Sequence, residues 1–262
     1  MKTQKPPILN DKQYTAASVF QPENLIREAR AQKGIAPAKV PPLCVLDPDG
    51  DIVRHLRRSG AAKPAEQWAC YHSEMDLFAL AGQEIGIVGC AVGAPYAVLI
   101  AEQAFASGCE LLVSITSSGQ LAPLGPTPYF VLVERALRDE GTSYHYLPPA
   151  EFAEADGKLI DAAEAALAGA GPPIRRGATW TTDAPFRETE TVLQRGREMG
   201  LAAIEMECAA LYAFAQARER PVICLAHVTN TMAVSEGDFE KGAHGGARDA
   251  LLLIERLAAL VA

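Results

Sequence analysis

The sequence predicts an α/β protein, organised as a single three-layer α/β/α domain around a central mixed, twisted sheet. Short apolar runs at residues 43–46, 84–88 and 222–228 are typical of strands that are buried on both faces. The first two runs lead into turn-forming residues and then into a helical pattern, as expected where strands and helices alternate. No repeat or domain-sized linker interrupts this alternation, so one core is expected.

Composition limits the class of protein. With 262 residues, about half of them apolar, the chain can bury a sizeable core. Its net charge of −8 makes a nucleic-acid backbone or an anionic membrane a poor partner. No apolar run approaches the length that crosses a bilayer, and the first residues lack the apolar core of a signal peptide. A cytoplasmic protein is therefore expected.

The cysteines and histidines show no metal-binding pattern. The six cysteines are scattered without a C-x-x-C pair, mostly in apolar surroundings, which favours reduced, buried thiols over disulfides or zinc. The five histidines show no ligand spacing with one another, so neither a metal nor a cofactor is expected.

The elements can be predicted in chain order. Residues 1–35 are expected to form an arm and a helix beginning at Pro22, and residues 36–262 the α/β domain. The arm could remain in solvent or lie across a partner subunit. Further strands are predicted over 111–115, 130–136 and 174–180. Helices are predicted over 22–30, 52–58, 95–106 with Gly108 as its cap, 159–169, 189–200, 207–218 and 247–260.

The stretch from Glu205 to Asn230 carries the clearest chemical signal. It places Glu205, Met206 and Glu207 at the head of an Ala-rich helix, and Thr229 and Asn230 at the end of a buried strand. Ligands of α/β sheets bind at the carboxyl ends of strands, which makes these residues site candidates. Taken alone, an acid in a first helical turn is explained by the helix dipole, and Asn after a strand by a turn.

Two further segments combine a strand end with small residues. One is 89–95, Gly-Cys-Ala-Val-Gly-Ala-Pro, and the other is 116–119, Thr-Ser-Ser-Gly, which is predicted as a loop. Small residues at such positions let backbone N–H groups approach an anion or a sugar closely. With the Glu-Met-Glu segment, these loops in this order resemble the nucleoside phosphorylase family, especially its uridine phosphorylase branch. The resemblance covers roughly residues 40–260.

The resemblance implies cleavage of the N-glycosidic bond of a nucleoside. Met206 would pack on the sugar and Glu207 would bind the ribose hydroxyls, since a carboxylate accepts from two vicinal hydroxyls at once. Asn230 would face the base and, with Glu207, would be a catalytic candidate. The implied base pocket comprises Phe186, Arg187, Trp180, Thr229 and Asn230. The implied phosphate or nucleophile pocket comprises Gly93, Ser117, Ser118 and Gly119.

The sequence departs from the family pattern in three places. Where the family has Arg-Ile-Gly-Thr-x-Gly, this chain has Ser-Ile-Thr-Ser-Ser-Gly over residues 114–119. The first phosphate loop, residues 46–51, is acidic and has no Arg before Arg54. Loss of these arginines weakens a phosphate site, because Arg binds phosphate through two hydrogen bonds. Arg54, Arg138 and Arg187 are candidate replacements. Thr189 and Thr191 stand where uridine-specific members carry the residues that bind uracil. The sequence therefore does not determine which base is bound.

Asn230 cannot serve as a general acid, because an amide does not titrate usefully. His227, Asp183 and Arg187 are candidate substitutes. These observations leave the general acid unassigned.

Three hypotheses for the function follow. Family membership favours phosphorolysis, a pentosyl transfer in nucleoside salvage with inorganic phosphate as co-substrate. The alternatives are a hydrolytic nucleosidase and a non-catalytic nucleoside binder. The resemblance also implies a homo-oligomer, dimer or hexamer, to which Phe20 and Gln21 of the arm could contribute.

Overall fold

A ten-stranded mixed sheet forms the centre of the protein in the computed structural model, which describes residues 6–232 and 236–261. The strands are β1 Leu43–Asp47, β2 Ala62–Pro64, β3 Asp76–Leu80, β4 Gln83–Gly89, β5 Leu111–Gln120, β6 Tyr129–Asp139, β7 Phe152–Glu154, β8 Ile174–Thr182, β9 Ala203–Glu205 and β10 Val222–Asn230. The helices are α1 Pro22–Lys33, α2 Asp51–Ser59, α3 Ala94–Ala106, α4 Gly157–Leu167, α5 Glu190–Glu198, α6 Cys208–Arg218 and α7 Ala247–Ala258. Short 3₁₀ helices lie at Pro7–Leu9, Thr142–His145 and Pro185–Arg187.

Five strands of the sheet close into a ring. Strand β10 pairs with β5 on one side and with β6 on the other, and β8 and β9 complete the circle. From β5 the sheet continues through β1, β4, β3 and β2. Because β4, β1, β5 and β10 are parallel neighbours, their carboxyl ends meet at one edge of the sheet.

Helices cover both faces of the sheet, which confirms the predicted three-layer architecture. Buried side chains of α3 and α6 belong to one core cluster, and those of α2, α4 and α7 belong to another. Seven consecutive residues of α6, 208–214, are completely buried, because small and apolar side chains let this helix pack on every side. Outside this layer, Ile26 and Ala29 of α1 pack against Ala69 and the end of α3 at Ala106.

The predicted helices agree with the structure to within a few residues, but strands β5, β6, β8 and β10 run two or more residues further than predicted. Residues 116–119 continue β5 and do not form a loop, because Ser117 pairs with His227 and Gly119 pairs with both Asn230 and Ile204. Strand β10 likewise runs through Asn230. Strands β2, β7 and β9 were not predicted, since three residues are too few to show a pattern, and the five-residue strand β3 was not predicted either.

Two other predictions are refined. Ser107 caps α3, and Gly108 follows it with φ +108°. The sequence also predicts an acidic turn over residues 138–146, but this turn is shorter, because Arg138 and Asp139 still belong to β6. The sequence further predicts a flap or loop over residues 232–237, of which residues 233–235 lie outside the described residues. No helix within the described ranges is long and apolar enough to span a membrane.

The segment that leads from β10 to α7 is fastened to the sheet edge at several points. Lys241 Nζ forms an ion pair with Asp51 Oδ2 at 2.7 Å, and the rings of His244 and His55 lie 4.8 Å apart. Gly246 then caps α7 with φ +81° directly against His227. These contacts fix the position of the chain beside the end of β10.

Gly246→Ala is expected to lower the free energy of unfolding by about 2 kcal/mol. A Cβ at this position would lie 2.1 Å from His227 Cε1 and 2.7 Å from the Lys241 carbonyl oxygen, and φ is positive. Urea denaturation of the two proteins measures the loss. Gly169→Ala is the matched control, because Gly169 has φ +72° but no neighbour within 4 Å. Equal losses in the two variants would contradict the clash.

Candidate active site

Glu207 directly precedes α6 and joins three parts of the sheet edge. Its Oε1 accepts a hydrogen bond from the Gly93 N–H at 2.7 Å, and its Oε2 accepts one from the Thr116 hydroxyl at 2.8 Å. The Met206 N–H also reaches Oε2, at 3.3 Å. Glu207 is only 1% exposed. This carboxyl group therefore ties the loop after β4 to β5 and to the head of α6.

The surroundings of Glu207 favour its protonated form. Burial and the charges of Glu205 and Asp49 together raise the pKa of its carboxyl to about 8, although the hydrogen bonds from Gly93 and Thr116 act in the opposite direction. Glu207 is therefore largely neutral at pH 7 in the free protein.

Glu205 organises the start of α6. Its Oε2 accepts from the N–H groups of Glu207 and Cys208, both at 2.7 Å. Its Oε1 accepts from the hydroxyls of Thr179 at 3.0 Å and Thr181 at 2.6 Å, on the neighbouring strand β8. Four donors thus converge on one buried carboxyl group, which fixes the direction in which the chain enters the helix.

The ends of β5 and β10 lie side by side, as the parallel register requires. The hydroxyls of Ser117 and Thr229 are 3.1 Å apart. The Asn230 amide donates to Thr229 Oγ1 at 3.1 Å and to the Ser118 carbonyl oxygen at 3.5 Å, and its Oδ1 accepts from the Met232 N–H at 2.9 Å. The structure therefore brings together four of the predicted site residues, with the Asn230 side chain already bonded to protein groups.

Asp49, in the loop after β1, reaches across to β5. Its Oδ2 accepts a hydrogen bond from the Ser117 N–H at 2.6 Å. Asp49 is half-buried, and its negative charge raises the pKa of both Asp47 and Glu207. A protein carboxylate therefore binds the Ser117 N–H, which was predicted to bind phosphate.

The same loop carries a second, more deeply buried acid. Asp47 accepts hydrogen bonds from the N–H groups of Gly50 at 3.1 Å and Val53 at 2.9 Å, at the start of α2. Burial and the charges of Asp49 and Asp51 together raise the pKa of Asp47 to about 7, although the hydrogen bond from the Val53 N–H lowers it in part. This part of the sheet edge is consequently acidic.

Ser118 has a free hydroxyl at this edge. The residue is 4% exposed, and its Oγ has no hydrogen-bond partner in the described structure. Side chains alternate along a strand, so Ser118 lies on the same face of β5 as Thr116, which contacts Glu207. Buried hydroxyls are normally bonded, which makes this one a candidate ligand contact.

The predicted base-pocket residues are dispersed. Phe186 is 99% exposed and Arg187 is also exposed, both on the 3₁₀ turn after β8. Trp180 is buried among Leu121, Leu193 and their neighbours, and its Nε1 donates to Asp139 Oδ2 at 3.0 Å. The assignment of Trp180 to the base pocket is therefore corrected to a core residue, because it lies on the face of β8 opposite Thr179 and Thr181.

Two of the three arginines proposed for phosphate are engaged by protein groups. Arg138 is buried, and it donates to Ser143 Oγ and to the carbonyl oxygens of Pro148 and Leu147. It therefore braces the chain after β6. Arg54 Nη2 donates at 2.7 Å to both Asp51 Oδ1 and the Asp49 carbonyl oxygen.

His227 and Asp183, two of the proposed general acids, are likewise in contact with protein groups. Burial and nearby Lys241 lower the pKa of His227 to about 4, and its ring stacks on Phe130 at 4.3 Å, so it is neutral near pH 7. Asp183 Oδ2 accepts from the Gly141 N–H at 2.8 Å. His227 is thus corrected from a candidate acid to a packed, neutral residue.

Two further features of the described residues concern metal ligands and a cavity. No group of three or more His, Cys, Asp or Glu side chains in these ranges could hold a metal ion. A cavity of about 550 Å³ lies beside the end of β4, lined in part by Lys33, Tyr71, Cys90 and Tyr96. It adjoins the loop that carries Gly93.

Comparison with known proteins defines the family. The chain belongs to the phosphorylase superfamily, whose family model matches residues 42–259. A search of curated protein sequences gave no significant match. Together with the fold, this membership agrees with the resemblance inferred from the sequence.

Solved structures with the same fold include enzymes of two kinds. Uridine phosphorylase from Vibrio fischeri is 20% identical with a TM-score of 0.70, covering 84% of this chain and 93% of its own. Purine nucleoside phosphorylase from Toxoplasma gondii is 17% identical with a TM-score of 0.70, covering 85% and 92%. AMP nucleosidase from Bacteroides thetaiotaomicron is 17% identical with a TM-score of 0.69, covering 92% and 98%. At these identities the likeness concerns the fold.

Sequence reasoning missed three residues that shape the candidate site. Glu205 was noted only as part of its motif, and its role as an acceptor for four donors depends on β8. Thr116 was included only in a loop of small residues. Asp49 was noted as an obstacle to phosphate, and its bond to Ser117 joins residues 68 positions apart. The acid-rich turn was the available signal, but the sequence does not show where each side chain points.

Proposed function

We propose that this protein hydrolyses the N-glycosidic bond of a nucleoside, with water in place of phosphate as the nucleophile. Superfamily membership and the Glu-Met-Glu segment at the head of α6 support action on a nucleoside. The choice of water rests on one observation, the 2.6 Å hydrogen bond from the Ser117 N–H to Asp49 Oδ2.

This contact disfavours phosphate for electrostatic reasons. A phosphate dianion that used the Ser117 N–H would have to displace the Asp49 carboxylate and would then lie next to it. Asp47 and Asp51 flank the same loop, and the nearest guanidinium in the sequence, Arg54, is bonded to Asp51 and to the Asp49 carbonyl oxygen. Like charges at this distance repel strongly in a partly buried site.

Water suits the same arrangement. Attack of water on the sugar C1′ forms the C1′–O bond and breaks the bond to the base. One proton of the water passes to the carboxylate of Asp49, and the departing base takes a proton from solvent, so the products are free sugar and free base. The hydrogen bond from Ser117 holds Asp49 in place, and a positioned carboxylate of this kind accelerates proton transfer by about 10²–10⁴-fold.

Phosphorolysis is the second candidate, because the structural neighbours include two phosphorylases. It requires Asp49 to leave Ser117 and a cation to reach the dianion. Exposed Arg187 has no carboxylate partner among the described residues and would be the available guanidinium. A nucleoside binder without activity is the third candidate.

The test is a panel of purine and pyrimidine nucleosides incubated with the full chain, with and without inorganic phosphate. Free base and free sugar without added phosphate are expected. Sugar 1-phosphate formed only when phosphate is present would establish phosphorolysis and overturn the proposal. If no base is released but a nucleoside raises the melting temperature, the protein is a binder.

Asp49→Asn is expected to lower kcat by about 10²-fold or more, because the amide cannot accept the proton. The matched control is Asp156→Asn. Asp156 also accepts backbone N–H groups, from Lys158 and Leu159, but it does so at the start of α4. Steady-state rates of base release compare the two variants. Unchanged kcat in Asp49→Asn would remove Asp49 from the mechanism.

A further inference from the structure

Thr116 uses part of the hydrogen-bonding capacity of Glu207. In its ionised form, which hydrogen bonds donated by a ligand favour, the carboxyl group of Glu207 offers about four acceptor positions, two on each oxygen. Both positions on Oε2 are taken, by the Thr116 hydroxyl and the Met206 N–H, and one position on Oε1 is taken by the Gly93 N–H. A single position on Oε1 therefore remains for a ligand.

Burial makes this limit strict. Glu207 is 1% exposed in the free protein, so a ligand must displace neighbouring groups to reach either oxygen, and at Oε2 the group to displace is the side chain of Thr116, which is 4% exposed. A glycine at this position would bring neither a hydroxyl nor a side chain, so the occupied position on Oε2 depends on Thr116 itself.

Ser118 supplies a complementary group. Its buried Oγ lacks a partner among the described residues and lies on the same face of β5 as Thr116. One ligand hydroxyl could donate to the free position on Glu207 Oε1 and accept from the Ser118 hydroxyl. Such a contact would satisfy both protein groups with a single sugar hydroxyl.

We propose that Thr116 restricts the substrate to nucleosides whose sugar offers one hydroxyl to Glu207, namely 2′-deoxyribonucleosides. This inference rests on the proposed cleavage of a nucleoside at this site. Ribose presents two vicinal hydroxyls, and the second would be buried against an acceptor that Thr116 already fills. A buried hydroxyl without a partner disfavours the bound state. Deoxyribose lacks this second hydroxyl.

The experiment compares kcat/KM for matched pairs with the same base, 2′-deoxyadenosine with adenosine and thymidine with 5-methyluridine. The native protein is expected to prefer the deoxy member at least about tenfold. Thr116→Ala frees Oε2 and opens space, so the preference is expected to fall about tenfold. Thr116→Ser keeps the hydroxyl and is expected to keep the preference.

The ratio separates this role from a purely structural one, because a general loss of stability lowers both members of a pair equally. Melting temperatures of the variants show that they are folded. An equal or ribose-favouring ratio, or a ratio that Thr116→Ala leaves unchanged, overturns the inference while base release still supports the proposed function. Absence of base release from every nucleoside overturns the proposed function instead. The shift in melting temperature with each nucleoside of a pair then tests the preference without turnover.

Discussion

Glu205→Ala is expected to lower the free energy of unfolding by about 4 kcal/mol. The carboxyl group accepts from two backbone N–H groups and two threonine hydroxyls, and Glu205 is 3% exposed. Alanine would leave these donors buried without an acceptor. Each orphaned donor costs about 1–3 kcal/mol, of which relaxation recovers a part.

Urea denaturation followed by circular dichroism measures the loss. A variant that is too unstable to purify is replaced by Glu205→Gln, which keeps Oε1 as an acceptor for Thr179 and Thr181 but presents an amide N–H₂ to two N–H groups. About half of the loss is expected there. Glu66→Ala, at an exposed glutamate, is the control and should lie within about 0.5 kcal/mol of the native protein. A loss below about 1 kcal/mol in Glu205→Ala would contradict the assigned role.

Glu207→Gln is expected to gain stability relative to the native protein as the pH rises from 5 to 8. Below its ordinary pKa the carboxyl is protonated in both the folded and the unfolded chain. Between that value and the folded pKa of about 8, only the folded chain holds the proton, so native stability falls as the pH rises. The fall is about 1.4 kcal/mol per pH unit, or roughly 4 kcal/mol between pH 5 and 8. The glutamine variant has no such titration.

The measurement is the difference in unfolding free energy between the two proteins at each pH, from urea titrations. Asp47 titrates in the same direction, with its pKa raised to about 7, and His227 in the opposite direction, with its pKa lowered to about 4. Both groups are present in both proteins, so their contributions largely cancel in the difference. A difference that stays constant over the range would show that Glu207 is not buried as a neutral acid.

Much of the architecture could be predicted from the sequence because periodicity and local turn chemistry determine it. The Ala-rich stretch of α6 and the apolar run of β10 are long enough to show their type, and Pro221 separates them. Three-residue strands such as β9 have no such pattern. Their pairing depends on partners far along the chain, as in the contact of Gly119 with Ile204.

The candidate site was predictable only as a set of positions. Glu207, Ser117, Ser118 and Asn230 converge because parallel strands end at one edge, which the order of elements implies. The partners of each polar atom could not be predicted, because the bonds from Thr116 to Glu207 and from Ser117 to Asp49 span 91 and 68 positions. For the same reason Trp180 was assigned to a pocket, although the face of β8 on which it lies makes it a core residue.

The closed ring of five strands has a consequence for how this protein could acquire a new substrate. Each strand of the ring has a hydrogen-bonded neighbour on both sides, so none can slide or separate without breaking pairs elsewhere in the circle. Changes in substrate selectivity are therefore expected to come from single side chains at the ends of these strands, while the backbone beneath them keeps its position. Altered selectivity among related proteins of this topology should accordingly follow from exchanges at positions such as Thr116, with little displacement of the main chain.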